Sequence, residues 1–182
     1  MKNFWNERYA SEQYAYGVEP NVFFKEWIDK QEPGTILFPG EGEGRNAVYA
    51  ARKGWNVYAF DYSESGKDKA LSLAEKHGVS LNFEVADASE YESSVKFDAI
   101  VLIYAHFPPP VREAFHRKAV NWLKSGGNLV LEAYNKQQIK NGTGGPKAPE
   151  MLLDNATIEH EFKGLKFLSL ENETLHMEEG LY

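Results

Sequence analysis

The 182-residue sequence has no cysteine, which excludes a disulfide framework, a thiolate metal site and a cysteine nucleophile. It also lacks a long apolar run. The stretch AIVLIYA at 99–105 falls far short of the roughly 20 residues that span a bilayer. With the polar opening MKNFWNERYASEQY, the expectation is a cytoplasmic protein with no membrane partner. Positive charge is scarce as well: 20 Lys and Arg stand against 27 Asp and Glu, a formal charge of -7. Duplex binding depends on basic residues that neutralise phosphate, so no nucleic-acid partner is expected. What is present is material for a core, since 42% of the residues are hydrophobic, enough at this length for one well-buried domain.

Strand-like and helix-like stretches alternate along the chain, with no linker or internal repeat. Pro20-Asn21 opens a stretch with Phe23, Phe24, Trp27 and Ile28 at helical spacing, and Pro33-Gly34 closes it. The strand TILF leads into a glycine loop and then a helix that ends in ARKG, with Gly54 as its C-cap. WNVYAFD is the second strand, followed by a helix near 65–77, the strand SLNFEVAD and a fourth strand, KFDAIVLIY. Val111, Phe115, Ala119, Trp122 and Leu123 share one helical face, which Ser125-Gly126-Gly127 ends, and NLVLEAY is strand five. Residues 135–150, rich in glycine and proline, read as a functional loop. A short helix near 155–162 and a last strand, LKFLSLENETLHM, complete the sequence. Strands apolar on both sides imply a buried parallel sheet. The expected fold is therefore a Rossmann-like, doubly wound α/β sandwich whose ligands bind beyond the carboxyl ends of the strands.

That rule selects the glycine loop, Asp61, Asp87-Ala88 and Tyr104-Ala105-His106. In ILFPGEGEGRNAVYAA, residues 36–51, the dinucleotide pattern GxGxxG/A meets Arg45 where Gly or Ala belongs. Glu41 and Glu43 would also repel a pyrophosphate, by roughly a kcal/mol or more per pair. S-adenosylmethionine has no phosphate and is net cationic, so an acidic loop suits it. Asp61 reads either as an acceptor for ribose hydroxyls or as a helix N-cap. Asp87 and Ala88 read either as an adenine site or as a turn. An NAD-dependent Rossmann oxidoreductase and a non-catalytic S-adenosylmethionine-binding protein remain alternatives to an enzyme that transfers methyl groups.

The pieces FWNERYASEQYAYGVEPN, GEGEGRNAVYAA, VYAFDYSESG, FDAIVLIYAHFPP and GTGGPK resemble, in order, the class I S-adenosylmethionine-dependent methyltransferases, specifically the bacterial branch of tellurite-resistance and thiopurine methyltransferases. The resemblance implies S-adenosyl-L-methionine as cofactor and a strand order 3-2-1-4-5-7-6. It divides the single domain into a cofactor lid at 1–19, a cofactor-binding core at 20–134 and a substrate-side loop, helix and strand at 135–182. Trp5, Tyr9 and Tyr16 would lie near the cofactor, and Gly40, Glu41, Gly42, Asp61, Tyr62, Asp87, Ala88 and Tyr104 would bind it. Phe38 stands where most of the class carries an acid, a role the loop glutamates are expected to take over. The family's seventh strand inserts between strands five and six. Tyr182 falls in the loop that should precede it, and the natural protein is expected to continue.

Methyl transfer is an in-line displacement at an activated carbon, so alignment and exclusion of water are the main needs, and no metal is required. A soft anion such as a thiolate or tellurite needs no base. A hydroxyl or ammonium does, and His106 and Tyr104 are the candidates, with a packing role for His106 as the alternative. HFPPP lacks the Asn/Asp/Ser-Pro-Pro-aromatic pattern of nucleic-acid amino methyltransferases, so a small-molecule acceptor is expected. Tyr14, Tyr16 and Tyr134 are expected to shape its pocket.

Overall fold

A computed structural model describes residues 2–142 and 144–175. Its elements are built as local chemistry suggests. Asn21 caps the helix α2 (Val22–Ile28) by accepting from the Phe24 N–H. Ser63 does the same for α4 (Glu64–Lys76) through Gly66, and Asp154 for α6 (Asn155–Glu161) through Thr157. Gly54 and Gly78 take left-handed conformations just beyond α3 (Arg45–Arg52) and α4, where a side chain would be strained.

The strands β1 (Thr35–Pro39), β2 (Asn56–Asp61), β3 (Asn82–Val85), β4 (Phe97–Ile103) and β5 (Leu123–Glu132) form one parallel sheet in the order β3-β2-β1-β4-β5. Alternation along β1 sends Ile36 and Phe38 to one face, against Phe24 and Ile28 of α2 and Ala47 and Ala50 of α3. Leu37 goes to the other, with Phe60, Ile100 and Leu102, against Phe115, Ala119 and Trp122 of α5 (Pro109–Trp122). Both faces are covered, which is why the strands are apolar throughout. A further helix, α1 (Lys2–Tyr9), packs on α4.

Gly44 sits where α3 and α4 meet, with φ +87, and a Cβ there would stand 2.5 Å from the Ala70 Cβ and 2.8 Å from its Cα. Gly44→Ala therefore combines left-handed strain of roughly 1–2 kcal/mol with overpacking of roughly 1–3 kcal/mol. Urea unfolding should show a markedly lower midpoint. An unchanged midpoint would mean that the two helices part at no cost.

Two expectations need correction. The α5 helix stops at Trp122, and Leu123 is already extended, so Ser125-Gly126-Gly127 lies inside β5 rather than ending the helix. The register between β4 and β5 shifts there, between Phe97 and Ala99. Gly126 is left-handed, and a Cβ on Gly127 would meet the Phe97 carbonyl oxygen at 3.0 Å, so the glycines make a bulge. The last expected strand is absent over its described part, since residues 166–175 join no ladder. Among the described residues β5 pairs only with β4. The end of that expected strand, at 176 and 177, and residues 178–182 lie outside the described residues. No helix among the described residues is long and apolar enough to cross a membrane.

Candidate functional site

The carboxyl ends of β1, β2, β3 and β4 surround a cavity of about 570 Å³ lined by Gly40, Asp61, Tyr62, Asp87, Ala88 and His106, with Phe107 and Val111 among its apolar walls. Asp61 anchors it. The Asp61 carboxylate takes the Gly42 N–H on Oδ2 at 3.0 Å and the Ser63 N–H on Oδ1 at 2.8 Å. Ser63, not Asp61, is the N-cap of α4. Burial raises the Asp61 carboxyl to about 6, while the Ser63, Gly42 and Tyr62 N–H groups pull it down. An ionised carboxylate offers about four lone-pair sites, so these three N–H groups leave capacity for a ligand hydroxyl. Asp87 also holds its own loop. Its Oδ1 accepts from Ser89 N and Oγ at 2.8 and 2.6 Å, and these bonds hold the carboxyl below its usual range. Ala88 is buried in the cavity wall.

The two loop glutamates are not arrayed toward a cation, contrary to the charge expectation. Glu41 accepts the Asn46 and Ala47 N–H groups at 3.0 and 2.7 Å, capping α3, and burial pushes its carboxyl to about 8. Glu43 is buried, with Oε1 on Lys69 Nζ at 2.6 Å and Oε2 accepting the Ala15 N–H at 2.8 Å. Neither lines the cavity. Each is held by groups of its own chain: orphan N–H groups at a helix start claim Glu41, and a lysine and a backbone N–H claim Glu43. Nothing therefore shows Glu41 replacing the acid that Phe38 lacks.

The N-terminal residues close on the glycine loop. Tyr9 is buried, and a Cβ on Gly42 would stand 2.6 Å from its hydroxyl. Trp5 lies 5.3 Å from the Tyr9 ring. Asn6 accepts from the Ser63 hydroxyl at 2.7 Å. Tyr16 holds the segment rather than the cavity: its hydroxyl accepts from Arg8 and its carbonyl from Arg45. Tyr14 donates to the Lys69 carbonyl. Deleting residues 1–19 should weaken S-adenosylhomocysteine binding at least about tenfold, the loss of roughly one charge-assisted hydrogen bond's worth of contact. Calorimetry on a variant shown to be folded by circular dichroism measures it, and unchanged affinity would deny the segment a covering role.

On the β4–β5 side, Tyr104 has φ 52, the only left-handed residue other than glycine among those described. Such strain costs roughly 1–3 kcal/mol and gathers at functional sites. The Tyr104 hydroxyl donates to Glu132 Oε1 at 2.6 Å, and its ring lies 4.7 Å from Tyr134. Tyr104 is not among the residues lining the cavity. His106 does line it, stacks on Tyr134 at 5.7 Å and is lowered by burial to about 4, so the imidazole is neutral at pH 7. Sequence reasoning missed Glu132. The signal was an acid closing the apolar run NLVLEAY, the same strand-end rule that selected Asp61.

The residues fit a nucleoside-bearing cofactor. Left-handed Gly40 brings backbone to the cavity wall, Asp61 has spare acceptor capacity, and the volume lies within the usual range for small ligands.

Known proteins agree. The chain is 29% identical over 154 residues to a tRNA (uracil(54)-C(5))-methyltransferase of Pyrococcus abyssi, covering 75% of this chain and 36% of that one. It is 23% identical over 127 residues to a ubiquinone biosynthesis O-methyltransferase of Rickettsia conorii, covering 70% and 44%. It thus spans less than half the length of these curated relatives. The crystal structure of TehB from Haemophilus influenzae superposes with a TM-score of 0.72 over 94% of this chain and 58% of that one, at 15% identity, which shows a shared fold. The methyltransferase domain pattern matches residues 36–127, half of the chain and the whole run from β1 through the glycine loop to the β5 bulge. On that match the chain belongs to the methyltransferase domain family, in the class I fold that uses S-adenosylmethionine.

Proposed function

We propose that the protein transfers a methyl group from S-adenosylmethionine to a small-molecule acceptor. The observation that carries this is the buried Asp61 carboxylate at the end of β2, facing a cavity that the glycine loop and the Asp87 turn also border. Asp61 would accept the ribose hydroxyls, Ala88 and Asp87 would meet the adenine, and Trp5, Tyr9 and Tyr62 would cover it. The cofactor supplies a methyl carbon activated by its sulfonium. The chain's own part is to align the acceptor, exclude water and, where the acceptor carries a proton, take that proton on the neutral His106 imidazole.

A small acceptor is supported by the O-methyltransferase relative's name, by the formal charge of -7 and by the HFPPP run. The tRNA relative is matched over only 36% of its length, and the charge disfavours RNA backbone binding. Thiols and tellurite, which need no base, belong to the acceptor classes to be tested beside phenols and amines. The polar start and short apolar runs favour the cytoplasm as its place of action.

Calorimetry with S-adenosylmethionine, S-adenosylhomocysteine and NADH, followed by S-adenosylhomocysteine release across that acceptor panel, tests the proposal. NADH binding tighter than both sulfur ligands would favour the oxidoreductase reading. Binding without turnover of any acceptor would favour a non-catalytic binder.

A further inference from the structure

Two buried acceptor atoms near the carboxyl ends of β4 and β5 have no hydrogen-bond partner among the described residues, Glu132 Oε2 and His106 Nε2. Such atoms are rare in folded proteins, and each calls for an explanation. A carboxylate only accepts, and Glu132 Oε1 already takes the Tyr104 hydroxyl. His106 turns Nδ1 toward the Met151 carbonyl at 3.3 Å. A carbonyl cannot donate, so the proton sits on Nδ1 and Nε2 carries a lone pair. Both atoms therefore ask for donors.

They belong to one layer of the structure. The Tyr134 ring stacks 4.7 Å from Tyr104, whose hydroxyl holds Glu132, and 5.7 Å from His106, which borders the cavity. Tyr134 is thus the ring common to both groups. An anion brought there would face a carboxylate and an imidazole lone pair. A molecule with O–H or N–H groups would satisfy both.

Resting on the methyltransferase reading above, we infer that Glu132 Oε2 and His106 Nε2 form the acceptor subsite and select an acceptor that presents hydroxyl or amine donors over a soft anion. Glu132 is then a binding residue of the reaction, and the Tyr104 hydroxyl positions it.

Calorimetry on the full chain saturated with S-adenosylhomocysteine tests this, with catechol, phenethylamine and tellurite as probes. Catechol or phenethylamine should bind, tellurite should not, and whichever donor probe binds identifies hydroxyl or amine as the preferred group. Glu132→Gln should weaken that probe about tenfold or more, as for a lost bond to a charged group, with S-adenosylhomocysteine affinity unchanged. Should Glu132→Gln fail to fold, Tyr104→Phe is the second variant, and it should weaken the same probe by freeing Oε1. Tellurite binding as tightly as a donor probe, no probe binding at millimolar concentration, or probe affinity indifferent to the substitution would overturn the inference. Failure of the unaltered protein to bind S-adenosylhomocysteine overturns the functional reading as well. Intact S-adenosylhomocysteine binding with a flat response at Glu132 overturns this inference alone.

Discussion

Asp61→Ala should weaken S-adenosylhomocysteine binding by about 100-fold or more, because two charge-assisted hydrogen bonds from ribose hydroxyls, each worth roughly 1.5–3 kcal/mol, are lost together. The substitution also releases the Gly42 and Ser63 N–H groups that the carboxylate now holds at 3.0 and 2.8 Å, so the glycine loop loses its anchor along with the ligand. A pH signature accompanies this. Hydroxyl donors need the ionised carboxylate, and burial raises Asp61 to about 6. Affinity should therefore be level above about pH 7 and fall as the pH drops through 6, by at most about tenfold per unit for one proton.

The unliganded protein runs the other way. A carboxyl raised on folding contributes stability that is complete below its unfolded value and lost as the pH rises through its folded one. Asp61 and Glu41, raised to about 6 and about 8, should thus make the free protein less stable from mildly acid to mildly alkaline pH. His106, lowered to about 4, has the opposite sense, its contribution being present above its ordinary value and lost as the pH falls toward 4. Asp61→Asn should remove the step near pH 6 from both binding and thermal unfolding. A binding profile that stays flat from pH 5 to 8 in the unaltered protein would deny the carboxylate its role.

The strands, the glycine loop and the Asp61 and Asp87 positions were legible in the sequence, because each follows from periodicity and from what stands just after a strand, whereas the order from β3 to β5 came only with the resemblance to the class I methyltransferases. Charge was less legible. Two glutamates beside glycines look like an acidic surface, yet Glu41 lies within reach of the α3 N–H groups and Glu43 within reach of Lys69 and Ala15. These partners stand 5 to 28 residues away in the chain, where no local pattern points to them. The run LKFLSLENETLHM has the right alternation for a strand, but a strand also needs a neighbour, which lies beyond periodicity. Glu132 escaped notice for a related reason. Its meaning depends on Tyr104 and Tyr134 closing around it, and only the tertiary structure brings those rings together.

The largest stability effect should come from a cluster that no motif announced. Glu161 at the end of α6 is buried and accepts from Arg112 of α5, Nη2 to Oε1 at 2.8 Å and Nε to both oxygens at 3.1 Å. His116, one turn along α5, offers Nδ1 to Oε2 at 2.7 Å and stacks its ring on Phe162 at 4.3 Å. Arg112 also donates to the Glu150 carbonyl, so one guanidinium ties α5, α6 and the segment before α6 into a single unit beneath the acceptor side of the site. Glu161→Ala leaves that guanidinium buried without its counter-charge, and breaking such a pair typically costs 3–5 kcal/mol, more than the intact pair contributes. Urea unfolding should show a loss on the order of 3 kcal/mol, while Glu161→Gln, which keeps two acceptor or donor positions, should lose less.

The pH dependence has one sign throughout this cluster. Burial pushes the Glu161 carboxyl up, but His116 and Arg112 together outweigh it and hold the group below its usual range, and burial lowers His116. Both contributions are present above the ordinary values of the two groups and are lost as the pH falls. Acid unfolding of the unaltered protein should therefore begin as the pH drops below the ordinary range of histidine. Glu161→Ala should remove the carboxylate's own loss of stability in acid while keeping that of His116, whose lowering comes from burial and is opposed by Glu161. If the variant unfolded at the same urea concentration as the parent, α6 would already be detached in solution, and the acceptor side of the cavity would lack the support that these three side chains give it.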